Sequence, residues 1–261
     1  MEEFSRKFFG YYRYQDETGI LGIPEPFKDG LGKGAFSDYR HFIWMFLVIV
    51  FSIGLYKLFK KHKVRGGKTV LILAIYMFSV RLVNQIVRAI IGAEVPAWRA
   101  FPFHLCTMMS FVLPLVVVFN LKKFKLPIYT LSIMGGVITI FLGEYFDNGF
   151  LTFAALEGMI THTLLVLIPL IELATNKYQF LFKKMWQVFV AIIILMLWAT
   201  LANNVFFKNY DTNYMYLKAN GLPGNLGGDY YFLIYAALFI VMNFIIFGIP
   251  VLHRKLVGCK N

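Results

Sequence analysis

Apolar runs of about twenty residues recur along the whole chain, each closed by a short polar stretch. Wound as an α-helix, a run of that length crosses the roughly 30 Å hydrocarbon core of a bilayer. The pattern predicts seven such helices, over about residues 39–60, 68–91, 101–119, 126–143, 151–174, 185–207 and 229–252. No stretch carries the period-two alternation of a membrane β-strand. The expected fold class is all-α, a polytopic membrane helix bundle with about seven transmembrane helices. Its expected parts are an extracellular N-terminal segment and loop over 1–38, the bundle over 39–252 and a cytoplasmic tail over 253–261.

The polar stretches orient the bundle. Lys57, Lys60, Lys61, Lys63, Arg65 and Lys68 follow the first run. Lys122, Lys123 and Lys125 follow the third, Lys177, Lys183 and Lys184 the fifth, and Arg254, Lys255 and Lys260 the last. The connections between these hold Glu94, then Glu144 and Asp147, then Lys208, Asp211, Lys218 and Asp229. Basic and near-neutral connections alternate, and the basic ones stay in the cytoplasm. The N-terminus is therefore expected outside and the C-terminus inside. Ahead of the first run, Phe4, Phe8, Tyr11 and Tyr12 fall at helical spacing among Arg6, Lys7 and Arg13. That suits an interfacial helix or an irregular aromatic anchor. The Gly- and Pro-containing stretch after it reads as a loop.

Composition agrees with this picture. The 261 residues are 59% hydrophobic and 15% charged, where a soluble domain carries nearer a quarter charged. The formal net charge is +12, which in a soluble protein would suggest nucleic acid. Here the charge sits in short connections and sets topology, so no nucleic-acid partner is expected. The expected location is the cell membrane, multi-pass, with membrane lipids as partners. The opening MEEFSRKFF carries acids and no small-residue cleavage site follows, so a cleaved signal peptide is not expected. Cys106 and Cys259 lie toward opposite faces in this topology and are not expected to pair.

Several polar groups interrupt the apolar runs. Arg81, Asn84, Gln85 and Arg88 stand at i, i+3, i+4 and i+7, one face of a helix. A charge at mid-bilayer costs about 2.5–3.5 kcal/mol even on the lenient insertion scale, so this stripe should face the bundle interior. It lines a wet cavity there or serves as hydrogen-bonded glue between helices. The expected topology brings His104, Cys106, Glu157, Asn203 and Asn204 to the same outer half and Thr161 and His162 near the middle, with His41 at the outer mouth. The other half holds few comparable groups, Asn243 being the main exception. One polar cavity in the outer half is the expectation.

Cys106 is the group with the most chemistry. Pro102 suits a first helical turn, which would place Cys106 about one turn in, where the helix dipole still favours a thiolate. Nearby Arg81 and Arg88 would favour it further. His104 is two residues away and points elsewhere on a helix. His162, from another span, is the candidate base: thiolate and imidazole are the pair that nucleophilic catalysis needs. Asn203 or Asn204 would orient it, or no residue does. The plain alternatives are a small apolar-type cysteine and a core histidine. His104, Cys106, His162 and Glu157 are admissible zinc ligands, but HExxH and CxxC spacings are missing and arginines flank the set, so no metal or other cofactor is expected.

FHLC at the third run, GEYFDNGF, ITHTLLVLIPL, NNVFFKNYDTNYMYL and GGDYYFLIYAALF stand in one order over most of the chain from about Phe36. Together they resemble the YwaF family of bacterial integral membrane proteins, related to an animal transmembrane acyltransferase family. The animal relatives are taken to move long acyl chains onto ether-type lysophospholipids, using a cysteine in the FHLC-like position and a histidine two spans later. The resemblance thus implies roles for Cys106 and His162 in a phospholipid or lysophospholipid acyltransferase that works through a cysteine thioester. Arg81, Asn84, Gln85, Arg88, His104, Asn203 and Asn204 are the expected substrate-binding residues. The alternative from a different class is a non-enzymatic transporter or binding protein that holds a small anion or lipid headgroup on the arginine stripe. An accessory subunit whose polar face packs on a partner span is a third.

Overall fold

The structure, a computed structural model, describes Phe8 and residues 39–91, 101–142, 152–210, 212–222 and 225–258, without the side chains of 88–91 and 249–258. Among the described residues from Tyr39 onward, seven α-helices follow one another: α1 Tyr39–Lys61, α2 Lys63–Ile91, α3 Leu105–Val118, α4 Lys125–Leu142, α5 Phe153–Ala174, α6 Trp186–Leu201 and α7 Tyr231–Gly258. Six of the seven are long and apolar enough to cross a membrane, when α6 is taken with the turns at its two ends. The other, α3, has 14 residues. At 1.5 Å per residue it covers about 21 Å, short of the hydrocarbon core. The chain is an all-helical polytopic bundle. The expected interfacial segment lies outside the described residues except for Phe8, whose ring stacks on Phe153 at 6.3 Å.

Helices α4 and α5 form the centre, buried over most of their length, while α1, α6 and α7 turn most of their side chains outward. The sequence explains the division. Along α4 stand Thr130, Ser132, Gly135, Gly136 and Thr139, and along α5 Ala154, Ala155, Gly158 and Thr161, all buried or in tight contact. Small side chains let backbones approach where lipid supplies no hydrophobic force between helices. The outer helices instead expose Phe46, Phe51, Ile193 and Leu197. Thr152 caps α5, its hydroxyl accepting from the Ala155 N–H at 3.3 Å.

Three features depart from the expected layout. The first two helices are separated by His62 alone, so Lys63, Arg65 and Lys68 open α2 and do not form a loop. Long basic side chains tolerate this because they can reach the interface from a helix end. Helix α6 closes in a π-helical turn over Ala202–Phe206. The half of the bundle expected to lack comparable groups holds a buried ion pair: Lys125 Nζ lies 2.6 Å from Glu172 Oε2, which also accepts from the Tyr129 hydroxyl at 3.0 Å. Lys125 is therefore a core residue of α4, not a surface charge of the preceding connection, and the expectation for that half is corrected.

Candidate functional site

Arg81 of α2 and Glu157 of α5 meet inside the bundle. Arg81 Nη1 donates to Glu157 Oε2 at 2.9 Å and Oε1 at 3.1 Å, and Nη2 donates to the Thr107 hydroxyl of α3 at 3.0 Å. Asn84 Nδ2 donates to Glu157 Oε2 at 2.5 Å, and the Thr161 hydroxyl donates to Oε1 at 2.8 Å. The carboxylate thus has four contacts from three side chains, and the two charges cancel within the protein. Desolvating such a pair is costly, and good hydrogen-bond geometry on both partners is what makes it tolerable. The cluster joins α2, α3 and α5.

Cys106 and His162 are the chain neighbours of Thr107 and Thr161, two anchored members of this cluster. Cys106 is the second residue of α3, in its first turn. This is nearer the helix start than expected, because Pro102 and His104 are not helical: His104 is the cap, with extended backbone (φ −79°, ψ 147°). The thiol therefore lies where unpaired backbone N–H groups and the positive end of the helix dipole act most strongly. Its sulfur is 3.2 Å from the Thr139 hydroxyl of α4. His162 Nδ1 lies 2.6 Å from the Gly158 carbonyl oxygen. A carbonyl only accepts, so Nδ1 carries the proton and Nε2 keeps its lone pair in the neutral ring. Both residues are partly exposed.

A glycine step on α4 lies against the Cys106 side chain and the His162 backbone. A methyl group at Gly135 would come within 3.0 Å of the Cys106 sulfur, and one at Gly136 within 2.8 Å of the His162 carbonyl oxygen. Adjacent glycines thus seat α3 and α5 against the same level of α4.

The remaining expected site residues divide. Gln85 is half-buried, with its Oε1 unpartnered among the described residues. Arg88 is on α2, and its side chain lies outside the described residues. His104 sits between the rings of Tyr214 and Tyr216 at 5.4 and 5.6 Å, and its Nδ1 is 3.4 Å from the Met215 N–H. Asn203, in the π-helical turn, pairs twice with the Tyr214 backbone: Nδ2 donates to its carbonyl at 3.1 Å and Oδ1 accepts its N–H at 2.9 Å. His104 and Asn203 thus tie down the 214–216 turn, where Met215 and Tyr216 hold left-handed backbone (φ 56° and 55°). Asn204 is exposed and donates to its own helix, to the Thr200 carbonyl at 3.0 Å. Among the described residues, no three His, Cys, Asp or Glu side chains gather where a metal ion would sit.

A model of the TMEM164 family matches residues 35–249. The chain belongs to the TMEM164 family. In this TMEM164-family chain the match takes in α1 to α6 and most of α7, and so the whole Arg81–Glu157 cluster with Cys106 and His162. No curated protein and no solved structure matches the chain.

Thr107, Thr139, Gly135 and Gly136 were not singled out from sequence. Threonines and glycines are ordinary in membrane helices, and only the fold reveals which neighbours they meet. A signal for the Arg81–Glu157 pair did exist: two opposite charges at one depth in separate spans, each too costly to leave alone.

Proposed function

We propose that this membrane protein is a lipid acyltransferase in which Cys106 carries the acyl group and His162 moves the proton. The orientation expected from the basic connections puts Cys106 in the outer half and His162 near the middle, and the likeness to bacterial YwaF proteins forms part of the same reading. In the first half-reaction the Cys106 sulfur attacks a phospholipid ester carbonyl. The S–C bond forms and the C–O bond breaks, while His162 Nε2 takes the thiol proton and returns it to the departing lysophospholipid oxygen. In the second, a lysophospholipid hydroxyl attacks the thioester, gives its proton to Nε2, and the thiolate leaves and is reprotonated.

The observation that carries this reading is the seating of Cys106 and His162 on the Gly135–Gly136 step, with the Nδ1 proton of His162 engaged by Gly158. A hydroxyl at 3.2 Å and a helix start both favour sulfur anion. Arg81 is neutralised by Glu157, so its part is to position Thr107 and α3, and Arg88 is the stripe's candidate for a headgroup phosphate. That neutralisation also weakens the alternative of a pocket selecting small anions on the arginine stripe.

The test is a reconstituted transfer assay with intact-mass analysis. Wild-type protein incubated with phospholipid should gain one acyl mass that hydroxylamine removes, and Cys106→Ala should lose both the adduct and the transfer. Full transfer by Cys106→Ala would end the proposal.

A further inference from the structure

The corner between α1 and α2 is seated on the end of α5, and cations from both meet there. Gly66 makes the seat: a methyl on it would come within 2.5 Å of the Thr175 methyl and 3.2 Å of the buried Phe59 ring. Thr175 caps α5, and the chain leaves through a Schellman turn. Asn176 is left-handed (φ 57°), and the Lys177 N–H donates to the Glu172 carbonyl at 3.0 Å. Beyond that turn the Lys177 ammonium lies over Gly67, in the space a methyl there would need. Lys63 stands one helical turn before Gly67 on the same face. Lys60 and Lys61 close α1, and Arg65 and Lys68 complete the group. All six basic residues are exposed. The described carboxylates are Glu157, Glu172 and Asp229. Glu157 pairs with Arg81, Glu172 is buried on Lys125, and Asp229 precedes α7, so none of the three balances this group.

Topology asks only that each connection on this side be basic. It does not ask a lysine of one connection to fold onto the cations of another, which costs repulsion. The convergence calls for an anion. Val64, next to Lys63, is 83% exposed and opens an outward stripe of α2 that continues through Leu71, Ile72 and Ile75. The charges therefore stand where the lipid-facing surface begins. We infer that this corner binds the phosphate of an anionic phospholipid in the adjoining leaflet, with Lys177 and Lys63 on the headgroup and the Val64–Ile75 stripe along its tails. Ammonium groups donate charge-assisted hydrogen bonds to phosphate oxygens. Basic pockets between membrane helices are where anionic headgroups settle. The apolar stripe selects a lipid over a soluble anion, which gains nothing from Val64. The inference stands apart from any role of Cys106.

The experiment is native mass spectrometry of full-length protein released from nanodiscs that hold phosphatidylglycerol and phosphatidylcholine in equal amounts. The wild-type chain should keep one phosphatidylglycerol in preference to phosphatidylcholine. Lys177→Gln should lower that preference about fivefold, the worth of one lysine beside an anionic surface. Gly67→Ala keeps every charge but displaces the Lys177 ammonium, and should lower the preference by a similar factor. Lys183→Gln with Lys184→Gln removes two charges from the turn before α6, which packs on α4, and should change it little. Thermal unfolding in phosphatidylcholine alone verifies that each variant is folded. Three results would each leave only diffuse surface charge and overturn the inference: no preference in the wild type, Gly67→Ala binding like wild type, or a loss in the Lys183/Lys184 variant equal to that in Lys177→Gln. Displacement of the lipid by an equal concentration of inorganic phosphate would make the ligand a soluble anion and overturn it as well.

Discussion

At the scale of single residues, Glu157 is the keystone of the described site: it accepts from Arg81, Asn84 and Thr161. Glu157→Gln removes the charge and leaves the Arg81 guanidinium buried without a counterion. The expected loss is about 3–5 kcal/mol. The double variant Arg81→Met with Glu157→Gln should recover most of that loss, because no lone charge remains. Thermal unfolding of detergent-solubilised protein measures both, and a double variant as unstable as the single would show that the charge is not the cause. Much of this cluster was legible in the sequence. Arg81 and Asn84 stood on one helical face, and Glu157 and Thr161 at a matching depth. Lys125 was read differently because it lies at the edge of an apolar run, where a basic residue ordinarily signals topology. Its partner Glu172 gave no warning, since a carboxylate near a helix end can also reach water.

Among elements, α4 decides how closely its neighbours approach. Gly136 is the position where an added methyl meets backbone, at 2.8 Å from the His162 carbonyl oxygen, and backbone cannot rotate away. Gly136→Ala should therefore push α5 off α4, destabilise by about 1–3 kcal/mol and lower any activity that needs Cys106 and His162 together. Gly54 on α1 is the control: a methyl there meets nothing within 4 Å, so Gly54→Ala should be neutral or slightly stabilising. Comparing the two variants by thermal unfolding and by transfer rate tests the step directly, and equal effects would remove it from the account. The seven helical runs themselves were readable from hydropathy, because each apolar run must satisfy its backbone internally. The late start of α3 was not. Phe103 packs on Trp198, Phe207 and Tyr214, distant in sequence, and that aromatic cluster holds the segment before Leu105 in a non-helical course. The π-helical turn that aims Asn203 at Tyr214 likewise depends on a turn met eleven residues later.

Across the whole molecule, two buried carboxylates of α5, Glu157 and Glu172, bind cations on α2 and α4 near opposite ends of that helix. Hydropathy was enough to count the helices, but the central place of α4 and α5 came from contacts that no single run encodes. The arrangement bears on biosynthesis. Arg81 and Lys125 leave the ribosome before either carboxylate is made, so each waits in the translocon or the bilayer for a helix not yet synthesised. Nascent chains stopped before Phe153 should display unmatched cations and be degraded quickly, whereas chains extended through Ala174 should persist. Pulse-chase decay of the two truncations measures this, and equal half-lives would mean that the waiting charges are shielded by something other than α5.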